Sequence, residues 1–371
     1  MGLRRAVESA GGVGNSLMLD AVVSSEANSF NAVRFNAAAA VVISHSYAMT
    51  ETEHVSEPLF GPTPYTLGQH AVNVFFVLSG LMLSRSHALN PNLWRFVSAR
   101  LLRVFPGLFG CGVVTTLVLG ALGTTASPAT YFQSPATLLY PFVVPLAFNR
   151  ASLPDVFAHG TYAGSVNGSL WTIKYELLAY AAFIAAAAIG LLRRRLFPLM
   201  AAGLLTALVI GLDLFPWAVE RWGVLAPLSR FLMSFAIGVA AYRHRDQVPL
   251  EWPVLAALLA LAVALHDTSL EKAAYILLAG YGAVFAGDLR LPGLSAFASR
   301  TDLSYGLYLY AWPTQQLLLH HWPSFDAVPH IAASLALALP LAGLSWILIE
   351  RPSLSLKRGL RTKVPTKPTP A

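Results

Sequence analysis

Ten apolar stretches, each long enough or nearly long enough to cross a bilayer, recur along this 371-residue chain. Their approximate limits are 34–50, 70–86, 107–126, 170–190, 196–214, 224–242, 252–266, 272–288, 303–321 and 328–349. Inside hydrocarbon every backbone N–H and C=O needs an internal partner, which a helix supplies along its own length. Only 12% of the residues are charged, about half of what soluble chains carry. The expected fold is therefore an all-α integral membrane protein, a bundle of about ten transmembrane helices. An eleventh run, 135–148, is shorter and carries Pro141 between two other prolines, Pro135 and Pro145, so it reads as re-entrant or interfacial.

Charge orients the bundle. With both termini in the cytoplasm, 20 of the 25 Lys and Arg fall on the inner side. They come as Arg4, Arg5 and Arg34; Arg85, Arg95, Arg100 and Arg103; Arg193 to Arg195; Arg243 and Arg245; Arg290 and Arg300; and a tail with Arg351, Lys357, Arg358, Arg361, Lys363 and Lys367. Arg150, Arg221 and Lys272 fall outside, and Lys174 and Arg230 lie within spans. Counting 135–148 as a full span would move Arg193–Arg195 and every later inner cluster across the membrane. The net charge of +7 is thus a topology signal and gives no case for nucleic acid. Residues 1–33 read as a polar cytoplasmic leader, partly disordered, and lack the apolar core of a signal peptide. Residues 34–350 form the transmembrane domain and 351–371 a basic, Pro-rich cytoplasmic tail at the inner leaflet. The single Cys111 excludes an internal disulfide framework and a cysteine metal cluster.

Several polar residues sit where they are costly. Arg34 and His45 are eleven residues apart in the first span, which places both on one helix face about 16 Å apart along the axis. Arg34 alone would serve as a snorkelling anchor at the inner edge. His45 lies half way across or further, where an imidazole needs a partner or water; it can take a proton from a hydroxyl, or simply bond between helices. Arg100 and Arg103, three apart, project from one side of a helix leading to Pro106 and suit phosphates, although topology also demands basic residues there. Glu176 in the fourth span calls for a nearby Arg, Lys or His, and Lys174, two residues earlier, points elsewhere. His70 and Asn73 share a face near the outer edge, where they either line an acceptor entrance or pack. Trp171 is placed as an interfacial aromatic, and Ser79-Gly80 as a close-packing point between helices. The last helix ends where Glu350-Arg351-Pro352 leaves the membrane.

Taken in order, Arg34-x10-His45-Ser46-Tyr47, VNVFFVLSG, Arg100-x2-Arg103-x2-Pro106, NGSLW-x4-Glu176, Ser304-Tyr305-x2-Tyr308-Leu309 and Glu350-Arg351-Pro352 resemble the membrane-bound acyltransferase 3 family. The matches run from about residue 30 to 352, and their order is more specific than any one of them. The resemblance implies a multi-pass enzyme of the cytoplasmic (inner) membrane that uses cytosolic acyl-CoA, most often acetyl-CoA, and no metal. Its acceptor would be a hydroxyl of a saccharide or lipid-linked glycan. By position, His45 corresponds to the essential histidine, Arg34 to the motif arginine, Glu176 to the glutamate after the tryptophan, and Arg100 and Arg103 to the donor-facing pair. His70, Asn73, Trp171 and Lys174 are candidates for acceptor binding; Lys174 stands where many relatives have a smaller residue or proline. The rival reading is a transporter or flippase for a glycan intermediate or small anion, with His45 and Glu176 on a polar pathway. The absence of paired broken helices counts against it.

Overall fold

The computed structural model describes residues 17–25, 28–51, 56–289 and 301–359. Arg4, Arg5, Arg290, Arg300 and the tail cations from Arg361 onward lie outside the described residues. Among the described residues the chain is helical throughout, with isolated bridges and no strand.

The helices that matter here are α1 (Leu19–Ser24), α2 (Phe30–Thr50), α3 (Leu67–Leu89), α4 (Leu93–Gly123), α5 (Pro135–Ala147) and α6 (Gly168–Ala188). They continue as α7 (Phe197–Leu214), α8 (Leu225–Arg243), α9 (Trp252–Ala264), α10 (Glu271–Ala286), α11 (Ser304–His321) and α12 (Ala327–Leu356). Six of these, α3, α4, α6, α7, α8 and α12, are long and apolar enough to cross a membrane. The other four expected spans fall short of that measure for different reasons. Helix α2 has 21 residues, but its apolar run is interrupted by Asn31, Arg34, Asn36, His45 and two serines. Helix α11 is similarly diluted by tyrosine, glutamine and histidine. Helix α9 is apolar with only 13 residues, about 20 Å of rise, and α10 has 16.

Local chemistry sets most helix starts. Thr66 and Gln69 form a reciprocal capping box at the head of α3, satisfying two N–H groups that a helix start otherwise leaves unpaired. Asn92 caps the head of α4 by accepting from the Arg95 N–H. Helix α4 runs on through Pro106 and a π-helical turn at Thr115–Leu119. The expected stop at Pro352 is corrected by a second π turn. Residues Trp346–Glu350 are π-helical, and the chain resumes as α-helix over Arg351–Gly359. Pro352 lies just past this wider turn, so the helix passes through the proline instead of ending at it.

The leader's described part is tied down. In α1, Leu19 is fully buried and donates its N–H to Val248 O at 2.9 Å, while Asp20 pairs with Arg245.

The bundle is pinned at its centre by the crossing of α3 and α8. A Cβ on Gly80 would come within 2.1 Å of Phe235 O, and one on Gly238 within 2.0 Å of Val77 O. Small residues that let backbones touch are what holds helices together where no hydrophobic drive separates protein from lipid. Phe76 stacks on Phe231 at 4.6 Å beside this crossing. Gly80→Ala is expected to destabilise the protein by at least about 1–3 kcal/mol, because the added methyl meets backbone that cannot rotate away. Gly203→Ala, whose Cβ would meet nothing within 4 Å, should melt like wild type in detergent. Equal melting temperatures for the two variants would show that the crossing is not tight.

Candidate active site

Four helices bring the costly polar residues of the sequence to one cavity. Arg34 enters from the first third of α2, Arg100 and Arg103 from α4, Glu176 from α6, and Tyr305 and Tyr308 from α11. The cavity, partly open to the outside, comprises about 850 Å³ of space not filled by atoms, and its apolar wall is carried by Phe75, Phe76 and Met82 of α3. Arg34, Arg100, Arg103 and Glu176, far apart in sequence, thus converge.

Their partners differ from one another. Arg103 Nη2 donates to Asp302 Oδ2 at 2.6 Å, and Arg34 Nη1 donates to the same oxygen at 3.1 Å. The second carboxylate oxygen accepts from Ser304 Oγ at 2.6 Å. One carboxylate just ahead of α11 therefore joins α2, α4 and α11. Burial alone would raise the Asp302 carboxyl, but the Arg103 and Arg34 guanidiniums, with the Ser304 hydroxyl, outweigh it. The group is held well below the usual carboxylate range and stays ionised. Arg100 has no hydrogen bond or ion pair among the described residues; its guanidinium carbon lies 5.5 Å from the centre of the Phe96 ring, and its Nε is buried. It is the cation in this wall that remains free to bind something else.

Glu176 has Arg100, the kind of nearby cation expected of it, on the same cavity wall, but its hydrogen bond goes elsewhere. The carboxylate accepts from the hydroxyl of Tyr180, one turn further along α6, rather than from a cation. Tyr180 also lines the cavity. A neutral donor satisfies one oxygen and leaves the charge uncompensated at short range, facing a cavity that also holds Arg100.

His45 is not among the described residues lining the cavity. Its ring meets the edge of Trp312 at 4.9 Å, nearly perpendicular. Trp312 follows Tyr308, which lines the cavity, by one turn of α11, so His45 packs on the helix that forms this part of the wall, one turn beyond the cavity lining. Tyr308 is fixed there: its hydroxyl donates to Ser169 O at 2.6 Å and lies 2.5 Å from Thr172 Oγ1, while its ring meets Phe75 at 6.1 Å. Trp312 is fixed likewise, donating from Nε1 to Ser165 O at 3.0 Å. Gly168 lets the ring pack, since a Cβ there would fall 2.4 Å from Trp312. Neighbouring Asn167 is 1% exposed and donates to Leu309 O at 2.8 Å, so the Asn167-Gly168-Ser169 triplet is a structural element of this wall. Gln315 bonds Val42 O and Ser46 Oγ, both at 2.8 Å, and so clamps the turn of α2 that bears His45.

The four residues singled out for acceptor binding lie elsewhere. Asn73 is fully buried and accepts from Arg230 Nε at 2.8 Å. Arg230 also donates to Gln69 O and lies 4.6 Å from the Tyr65 ring centre. His70 bonds Thr63 Oγ1 at 3.0 Å between the rings of Tyr65 and Tyr275. Trp171 packs on Tyr175 and Phe231, and Lys174 lies over the Tyr175 ring at 5.0 Å. None of the four lines the cavity. On the α9–α10 turn, ligand atoms of His266, Asp267 and Glu271 lie within 4.8 Å of one another, away from the cavity wall.

Asp302, Tyr180, Tyr308 and Trp312 are the residues that spacing did not single out for the site. Tyrosines at the positions of α11 suit interfacial or packing roles as readily as a site, and Asp302 has partners 268 and 199 residues away in sequence.

A family model described as an acyltransferase domain matches residues 27–349. An O-acetyl transferase of Shigella phage Sf6 is 27% identical over 340 residues, covering 88% of this chain and 96% of that protein. Nodulation protein 10 of Rhizobium leguminosarum bv. viciae is 27% identical over 369 residues, covering 90% of this chain and 95% of its own length. No solved structure gives a significant match.

Proposed function

The chain belongs to the acyltransferase 3 family and is an acyltransferase with several membrane-type helices, and from that premise we propose that it O-acylates a glycan with acyl-CoA. The observation that carries the reading is the convergence of Arg34, Arg100, Arg103 and Glu176 on one cavity. Guanidiniums recognise phosphate through planar, paired N–H groups, and the CoA donor brings phosphates that need such partners. The expected ten-span topology, with both termini in the cytoplasm, agrees with this, because it turns the basic ends of α2 and α4 towards the cytosolic acyl-CoA pool. The membrane would be the inner one, and the acyl group acetyl.

In the mechanism, phosphates of the donor dock on Arg100, assisted by Arg103 and Arg34, and the acyl arm extends along the wall of Phe75 and Tyr308 towards His45. His45 takes the proton of the acceptor hydroxyl as the oxygen attacks the thioester carbon. The C–S bond breaks, the acyl oxygen ester forms, and CoA leaves as thiolate to be protonated by the imidazolium or by water. Glu176 orients the arm or the acceptor through the cavity and is itself held by Tyr180. A direct transfer suits the residues better than an acyl-cysteine, because among the described residues Cys111 is buried against Thr115, Asn167 and Leu309 O, none of them a base.

Membranes containing the protein are expected to move label from acetyl-CoA to a hydroxyl-bearing saccharide or lipid-linked glycan. Failure with every such acceptor, together with protein-dependent movement of a glycan or anion across vesicles, would replace this reading with transport.

A further inference from the structure

Asp302 does something the donor-site reading does not require. Its Oδ2 takes hydrogen bonds from Arg103 at 2.6 Å and from Arg34 at 3.1 Å, and both arginines line the cavity. Two guanidiniums converging on one anionic oxygen is the arrangement that receives a phosphate oxygen. The side chain of Asp302 is 13% exposed and those of Arg103 and Arg34 are 14% and 25% exposed; the two arginines and Ser304 line the cavity, and Asp302 stands directly behind them, bonded to all three. Without an anion, two like charges about 5 Å apart repel by roughly 3 kcal/mol at an effective dielectric of 20. Glu176 is hydrogen-bonded to Tyr180, and Glu350, which accepts from Ser345 Oγ at 3.0 Å, acts on Arg103 and Arg34 electrostatically without a hydrogen bond to either.

We infer that Asp302 is the resident counter-ion of the donor site: its carboxylate occupies Arg34 and Arg103 while the cavity is empty and yields them to donor phosphate. Ser304, bonded to the other oxygen at 2.6 Å, holds the carboxylate as it withdraws. The exchange explains how three arginines are kept in one wall without a ligand, and why Arg100 alone of the three lacks a hydrogen bond or ion pair among the described residues. Arg100 makes first contact, and the other two follow as Asp302 lets go. The inference rests on the donor-site reading above.

The test uses the full-length protein in detergent, with CoA as the probe. Asp302→Asn keeps the shape and removes the competing charge. It should bind CoA roughly tenfold more tightly than wild type, the effect of about one charged contact. Its melting temperature should be lower without CoA and should rise further with CoA than that of wild type. Turnover should fall together with the donor KM, because product CoA leaves more slowly. Pantetheine, which lacks the phosphates, should show no such gain, and Asp302→Glu should return CoA affinity towards wild type. A residue that merely supports the fold would weaken binding when lost, so unchanged or weaker CoA binding by Asp302→Asn overturns the inference. If neither Asp302→Asn nor Asp302→Ala folds while Asp302→Glu does, the triad is a structural requirement and the inference also falls. A wild-type protein that binds no CoA overturns the donor-site reading and this inference with it.

Discussion

His45→Ala is expected to lower acyl transfer by about two to four orders of magnitude while the protein still accumulates in the membrane, the range general-base catalysis supplies. The separation of the two effects follows from what the imidazole touches. One of its ring contacts is the edge of Trp312 at 4.9 Å, and an aromatic pair of this kind contributes about 0.5–1.5 kcal/mol. Trp312 keeps its own bond to Ser165 O, and Gln315 keeps its grip on Val42 O and Ser46 Oγ, so the turn around position 45 survives the substitution. Loss of the proton acceptor costs the reaction far more than loss of the edge contact costs the fold. Labelled acetyl-CoA supplied to membranes, with protein content matched by immunoblot, reads the two separately. Equal labelling by the variant would remove His45 from the chemistry.

The same residue marks where sequence reasoning carries and where it stops. Helix geometry places Arg34 and His45 about 16 Å apart on one face from spacing alone, and the structure keeps both within α2. The i, i+3 spacing pointed to Arg100 and Arg103 and the cost of a buried carboxylate to Glu176, without any knowledge of what they face, and all three reach the cavity with Arg34. What periodicity does not carry is the identity of partners across helices. Asp302 sits in a short polar link ahead of α11, looks solvated in one dimension, and is buried only because α2 and α4 close over it. Glu176 needed a partner, but nothing along the chain distinguishes a cation elsewhere from the tyrosine one turn away. Asn73 looks available until α8 delivers Arg230 to it, and the register of α8 against α3 is set by Gly80 and Gly238 touching backbone. Pro352 was misjudged because a π turn, which leaves no mark in hydropathy, precedes it.

Arg100 and Arg103 lie three residues apart with the same side chain, yet their alanine variants should fail in different ways. Arg100 has no hydrogen bond or ion pair among the described residues, and it stacks above Phe96 at 5.5 Å. Its removal breaks no hydrogen bond or ion pair and takes a like charge away from Arg103 and Arg34, so Arg100→Ala should melt close to wild type. A hydrogen bond to a charged group contributes about 1.5–3 kcal/mol, so losing one phosphate contact should raise the donor KM by roughly ten- to a hundredfold. Acceptor KM should stay the same, because the acceptor meets the acyl group at the His45 end of the path. Arg103 is bonded to Asp302 at 2.6 Å, with side chains 14% and 13% exposed. Taking away one member of such a pair leaves the other buried with less compensation, at a cost of several kcal/mol when the pair is sealed. Here Arg34 remains on the same oxygen, which brings the expected loss to the low end, about 3 kcal/mol. Arg103→Ala should therefore melt earlier and yield less protein, and its donor KM should rise as well. Melting in detergent and the donor KM, measured on both variants, separate a binding arginine from one that also joins helices. Identical melting temperatures, or a donor KM raised by Arg103→Ala alone, would reverse the assignment.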